Sequence, residues 1–227
     1  MSKKEELKIS SLYRYPEHSI AYSLLSRFTY PWEALASVSD FILELGASLS
    51  ADEYDRVGEN IWLAKTATVA PTASVSGPCI ICDRAEIRHC AFIRGSVIVG
   101  AGAVVGNSTE LKNCILFDGV QVPHYNYVGD SILGYKAHMG AGSITSNVKS
   151  DKTPVTVNTG EEKVETERKK FGAMLGDFVE VGCNSVLNPG TVVGPNSNIY
   201  PLSPVRGYVP ANSIYKACNC IVTKRAD

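Results

Sequence analysis

From Leu63 onward the chain places an apolar side chain at every sixth position: Leu63, Val69, Val75, Ile81, Ile87, Ile93, Val99, Val105, Leu111 and Phe117 follow without a miss. Two residues before each next member sits a mostly small residue, as at Ala67, Ala73, Cys79, Ala85, Ala91 and Ala103. An α-helix repeats near 3.6 residues and a flat strand near 2, so neither gives a period of six. Short strands joined by tight corners do, with three strands per coil and one aliphatic side chain pointing inward on each face. Residues 18 apart then stack at the strand spacing of about 4.8 Å. The predicted fold is mainly β, a parallel β-helix of hexapeptide repeats. After Phe117 the frame slips around Pro123 and Tyr127, then resumes at Leu133 and Met139. A second strict run follows at Leu175, Val181, Leu187, Val193, Ile199 and Val205.

Three stretches lack the period and set the expected domains: a helical cap over 1–60, the β-helix over 61–210 with 146–174 as a protruding loop, and an arm over 211–227. In the first, Glu17 to Phe28 fits a short helix. Tyr30-Pro31-Trp32-Glu33 reads as a helix start, with proline in the first turn beside an acid. Trp32, Leu35, Val38, Phe41, Ile42 and Leu45 recur at helical spacing, and Gly46 is a plausible stop. The expectation is that this cap packs on the end of the β-helix. In the loop, Val155-Thr-Val and Lys163-Val-Glu flank Asn158-Thr-Gly160, which predicts a hairpin. Glu161 to Lys170 is too polar for core. A surface excursion of this length is often functional. The last residues, from Tyr208 to Lys224-Arg225, read as an arm along a neighbour or a frayed tail.

Composition narrows the chemistry. The 227 residues are 44% hydrophobic, ample for a core, and the net charge of −1 with no basic block argues against nucleic acid as the main partner. No apolar run is long enough to span a membrane, and the start lacks the apolar core of a signal peptide, so a cytoplasmic location is expected. Seven cysteines at irregular spacing argue against a secreted disulfide framework. Cys79-Ile-Ile-Cys82 and Cys218-Asn-Cys220 lack partners for a zinc site and read as reduced structural thiols.

Most polar chemistry gathers where the repeat breaks step, at His124-Tyr-Asn-Tyr127-Val-Gly-Asp130 and Met139-Gly-Ala-Gly-Ser-Ile-Thr-Ser-Asn147. Glycine and alanine at 140–142 let a ligand approach the backbone closely. His124 among them is suited to proton transfer near neutral pH. Arg94 and Lys112, 18 residues apart, are placed to stack on one face. His18 reads as incidental, and His89 as a surface corner residue. Glu110 is placed to orient a neighbouring cation or His124, or to be a solvated corner carboxylate.

The ordered set Phe92-Ile-Arg94-Gly, Gly106-Asn-Ser-Thr-Glu-Leu-Lys112, the two stretches above and Val181-Gly-Cys-Asn carries a resemblance over Leu63–Lys216, about two-thirds of the chain. This region resembles the acetyltransferase half of the bifunctional glucosamine-1-phosphate N-acetyltransferase/N-acetylglucosamine-1-phosphate uridylyltransferase. Archaeal-type and clostridial relatives labelled UDP-N-acetylglucosamine pyrophosphorylase-related share these features. The resemblance implies a left-handed β-helix, a homotrimer with sites between subunits, and acetyl-CoA as co-substrate with no metal required. It implies that Arg94, Lys112 and Tyr127 hold the amino-sugar phosphate, with His138 where the bacterial pattern has an asparagine. It also implies His124 as general base, Asn147 beside the reacting amine or thioester, and Ala141, Cys183 and Lys216 against acetyl-CoA. The lysine of the family's following loop is matched by Lys149 or Lys152.

The uridylyltransferase half has no counterpart in residues 1–60, where no glycine-rich nucleotide loop occurs. That chemistry would either fall to a separate nucleotidyltransferase partner or not be needed. The leading expectation is an acetyl-CoA-dependent N-acetyltransferase for an amino-sugar phosphate. The alternatives are an acyltransferase for another amine and a non-catalytic trimer that binds a sugar nucleotide or a partner. A zinc hydratase of the same fold would need close histidine pairs that the four histidines do not form.

Overall fold

A computed structural model of the chain describes residues 2–216 and 220–224. Cys218 and Arg225 lie outside the described residues, as does part of the 211–227 arm. The period-six region winds into a left-handed β-helix with three faces, all strands within a face running parallel apart from antiparallel pairs at the two ends. The first face stacks Ile61–Ala64, Cys79–Ile81, Val97–Val99, the ends of Glu110–Leu116 and Tyr127–Leu133, then Ala173–Leu175, Thr191–Val193 and Tyr208–Val209. The second runs from Thr68–Val69 through Gln121–His124, His138–Met139 and Glu180–Val181 to Ser213–Lys216. The third stacks Ser74–Val75, Phe92–Ile93, the starts of the two long strands, Ile144–Thr145, Val186–Leu187 and Pro204–Val205.

The break in period lies earlier than the sequence suggests. Val99 pairs with Leu116, which pairs in turn with Leu133, so Leu116 and not Phe117 continues the inward column. Two strands, Glu110–Leu116 and Tyr127–Leu133, run on through the corner between the third and first faces. Asn113 and Asp130 turn that corner in the left-handed region, each with φ of 47°. That conformation suits short polar side chains, and it shortens these coils by one residue. Phe117, displaced from the column and fully buried, stacks on Tyr13 with centroids 5.0 Å apart.

Helices cover one side of the coil and not its end. Each central residue on the first face points outward, yet Ile80, Ile98, Ile115, Ile132, Met174 and Val192 are all 0% exposed. The N-terminal segment lies along them, running back from the last coils to the first. Tyr208 donates to Glu6 at 2.5 Å, and the Asp177 amide donates to the Leu12 carbonyl. Trp32 stacks on Phe171 at 5.6 Å, and the helix Val38–Ser48 packs on Cys79–Ile81, Val97–Val99 and Glu110–Leu116.

Glu33 starts the middle of this segment as its pattern predicts, accepting the Thr29 and Tyr30 amides at 2.9 and 2.8 Å. Gly46 is not the stop. It sits inside the helix, where a Cβ would lie 2.5 Å from the Trp62 ring, so its job is close approach. His18 is not incidental either: its ring stacks on Tyr135 at 3.9 Å and its Nδ1 lies 3.5 Å from Asp118, docking the segment.

The loop leaves after Thr145 and returns at Ala173, so Leu133 pairs with Leu175 across it. Within it, Thr156–Asn158 and Lys163–Glu165 form the expected antiparallel hairpin. Val164 and Thr166, inside the polar stretch, are buried beneath it with Val155 and Val157.

Candidate functional site

Strand register puts Arg94 and Lys112 side by side on the third face, because Ile93 pairs with Leu111. The next residue in that column is Gly129, and the bare backbone there is used: a Cβ would lie 2.4 Å from the Tyr127 hydroxyl. Tyr127 therefore lies across the column, and its hydroxyl accepts from Asn147 Nδ2 at 3.3 Å. Glu110 pairs with Arg94 at 2.6 Å, orienting that cation.

Behind this face a polar ladder follows the 17-residue coils. Asp130, 3% exposed, accepts from Asn113 Nδ2 at 2.8 Å and from Asn147 Nδ2 at 2.5 Å. The loop's return is clamped to the same corner, with the Gly172 amide donating to the Asp130 carbonyl. It brings Lys170 against Lys112. Partial burial holds the Lys112 ammonium below the usual lysine range; Asp130 opposes this, while Lys170 and Arg94 add to it. Three cations, Arg94, Lys112 and Lys170, thus face two carboxylates, a balance suited to a phosphate dianion. Lys149 pairs with Asp151 at 3.4 Å and donates to the Thr153 hydroxyl. Sequence reasoning missed Lys170, Asn113 and the role of Asp130. The spacing of 17 between 113, 130 and 147 was the available signal.

His124 stands at the other edge of the face, where it ends the second-face strand Gln121–His124 and Tyr125, with φ of 52°, turns the corner towards Tyr127. It is exposed, and among the described residues its ring forms no hydrogen bond. The register that pairs Gln121 with His138 and Met139 with Val181 stacks His124, Ala141 and Cys183 in one corner column. There the Gly142 amide donates to the His124 carbonyl at 3.0 Å. The Ala141 amide has no acceptor among the described residues, which leaves a donor for a developing oxyanion.

His138 and Lys216 are not brought to this face. His138 lies on the second face with its Nδ1 2.8 Å from Glu180, and Lys216 is on that face's last strand. Cys79 and Cys82 are free buried thiols whose pKa burial pushes up to about 12, unreactive as ligands or nucleophiles. Among the described residues no group of His, Cys, Asp or Glu is placed to hold a metal ion, and no helix is long and apolar enough to cross a membrane.

A family model described as the GMPPB C-terminal domain matches residues 57–199, more than half of the chain. The chain belongs to that family. Relatives agree with the resemblance carried by the motifs. The bifunctional protein GlmU of Methanococcus maripaludis (strain C5) is 32% identical over 199 residues, covering 86% of this chain and 48% of its own. An Escherichia coli K12 protein named as an uncharacterized acetyltransferase, YaiX, is 27% identical and is covered over 69% of its length. A hexapeptide transferase family protein of Anaplasma phagocytophilum aligns with a TM-score of 0.38 at 14% identity, over 71% of this chain and 80% of its own. The chain spans about half the length of the GlmU relatives that cover most of it.

Proposed function

We propose that this GMPPB C-terminal domain family member is an acetyl-CoA-dependent N-acetyltransferase whose acceptor is an amino-sugar phosphate of the glucosamine-1-phosphate kind. The observation that carries the reading is the third-face column. Arg94, Lys112 and Lys170 form a phosphate-sized cation cluster beside the Tyr127–Asn147 pair, with His124 and the unpaired Ala141 amide at the opposite edge. The cations hold the phosphate, and Tyr127 and Asn147 position the sugar ring and its amine. His124 accepts the proton as the amine nitrogen attacks the thioester carbonyl carbon. The Ala141 amide donates to the resulting oxyanion. Collapse breaks the carbon–sulfur bond, and the departing thiolate takes up a proton. Cys183, one coil beyond Ala141, lines the path of the acyl donor's arm, with Lys216 beyond it. His138, oriented by Glu180, contacts the sugar once copies assemble as a homotrimer. A nucleotidyl-transfer reaction would use the product.

The unaccompanied His124 ring favours one second reading, a non-catalytic trimer that binds a sugar nucleotide. Thiol release from acetyl-CoA with glucosamine-1-phosphate, compared between wild type and His124→Ala, separates the two. The expected result is turnover that needs the phosphorylated sugar and falls by roughly 10²–10⁴-fold in the variant. A folded assembly that releases no thiol with any amino sugar would establish the binding reading.

A further inference from the structure

A second set of cations lies on the same column, on the far side of the reacting centre. Register continues Arg94, Lys112 and Gly129 through Ser146 and Asn188 to Arg206, because Thr145 pairs with Leu187 and Leu187 with Val205. The column thus reads cation, cation, glycine, serine, asparagine, cation. Arg206 stands two strand spacings, about 10 Å, beyond Ser146. There the inserted loop adds Lys149 and its hairpin adds Lys163, making a cavity of about 270 Å³ whose wall also includes Asn158. It adjoins a second hollow of about 380 Å³ that reaches Ser146 and Asn188, next to the Asn147 corner.

The hairpin is a built wall. Val155 and Val157 beneath it are fully buried. It also seats on two glycines with positive φ: a Cβ on Gly190 would lie 2.6 Å from the Thr156 carbonyl, and one on Gly207 2.5 Å from that of Asn158. Its charge is unbalanced. Among the described residues Asp151 is the only carboxylate lining either hollow, and it is already held by Lys149 at 3.4 Å. Lys163 and Arg206 have no ion-pair partner among the described residues, and Arg206 reaches only Asn188 Oδ1, at 3.4 Å. Three cations drawn from a loop, a hairpin strand and a coil corner exceed what one carboxylate ligand would neutralise. Lysine and arginine donors together suit phosphate oxygens.

We propose that Lys149, Lys163 and Arg206, beneath the inserted hairpin, form a diphosphate-binding site. The diphosphate has two sources in the chemistry above, the acyl donor coenzyme A or a nucleotide-linked sugar. Naming either rests on the acyl-transfer reading, whereas the diphosphate site stands without it. Because the Arg94 cluster serves one anionic substrate, the insertion supplies a separate seat for a second polyanion.

The test is calorimetric binding of inorganic pyrophosphate, coenzyme A and UDP-N-acetylglucosamine to the full chain. Wild type, the double variant Lys163→Gln/Arg206→Gln and the control Arg84→Gln are compared. Both pocket side chains are exposed, so the fold should persist. The expected result is a roughly 10–100-fold weaker pyrophosphate affinity in the double variant alone. The dependence of log Kd on log salt should also become shallower. The same loss for coenzyme A, with unchanged turnover of acetyl-pantetheine, which lacks the diphosphate, names the donor as the source. Loss confined to UDP-N-acetylglucosamine names the sugar nucleotide. If wild type binds no coenzyme A but the pyrophosphate loss appears, the site stands and the acyl-transfer reading falls. Equal affinity of wild type and double variant for all three probes overturns the site, and turnover would then still judge the function separately.

Discussion

The first and third faces of this coil share one construction inward and differ in what they show outward. Inside, Ile81, Val99 and Leu116 on one face and Ile93, Leu111 and Val128 on the other stack in equivalent columns. Outside, the first face carries Ile80, Ile98, Ile115 and Ile132, all sealed under the N-terminal segment. The third carries Phe92, Glu110 and Tyr127, with Arg94 and Lys112 beside them, and among the described residues no element covers that row. Inward positions specify the coil, and the outward row specifies what will lie on each face. An apolar row buys a permanent cover of the chain's own, whereas a charged row leaves its face open to a ligand.

The sharpest way to break this comparison is to place the same charge on both rows. Ile98→Asp would bury a carboxylate beneath the helix Val38–Ser48 with no partner, at an expected cost of about 3–5 kcal/mol. Phe92→Asp makes the equivalent change on the third face, where Phe92 is 41% exposed, with an expected change of less than about 1 kcal/mol. Urea unfolding midpoints would measure both, and limited proteolysis of residues 2–50 would report whether the cover has lifted. Equal losses from the two variants would mean that the rows do not differ as described.

A smaller effect should distinguish the ladder from the cover. Asp130→Ala leaves the Asn113 and Asn147 amides without their acceptor in a largely buried corner, which should cost about 1–3 kcal/mol. Thiol-release activity should fall with it, because Asn147 loses its support, while protease resistance of the N-terminal segment stays at the wild-type level. Asp130→Asn keeps one acceptor oxygen and should recover part of the stability. Full activity in Asp130→Ala would remove Asn147 from the site.

Much of this was legible in the sequence, for a physical reason. An inward column tolerates only apolar side chains, so it repeats strictly, and Arg94 and Lys112 could be aligned by counting 18. The one-residue slip was placed too late because Phe117 is itself apolar and fits the count; only pairing of Leu116 with Val99 and Leu133 reveals the shift. The covered face was also readable and was missed. Trp62, Ile80, Ile98, Ile115 and Ile132 occupy the outward place on every third strand, where an uncovered face would be polar. Lys170 was out of reach. Twenty-three residues past Asn147, its position depends on how the loop packs at Gly172 and Phe171, and no period governs a loop.

The smallest expected effect concerns Lys112, and its sign separates ligand binding from stability. Burial holds this lysine below its ordinary value of 10.5, with Lys170 and Arg94 adding repulsion. In the unfolded chain the ammonium is restored to the ordinary range, so between the folded and unfolded pKa the unfolded state holds more protons. Stability attributable to Lys112 therefore rises as pH rises through that window. A bound phosphate dianion acts in the other sense: it favours the ammonium and raises the pKa, so binding takes up protons. Affinity for glucosamine-1-phosphate should then fall as pH rises through the pKa of the free protein. Lys112→Arg, which stays charged throughout, should flatten both trends. Calorimetry in two buffers of different ionisation heat, over the alkaline range below the ordinary lysine value of 10.5, would read the uptake directly. A few-fold loss of affinity across that range in wild type but not in Lys112→Arg would place Lys112 against the phosphate. Parallel profiles in the two proteins would leave Arg94 and Lys170 as the phosphate's only cations.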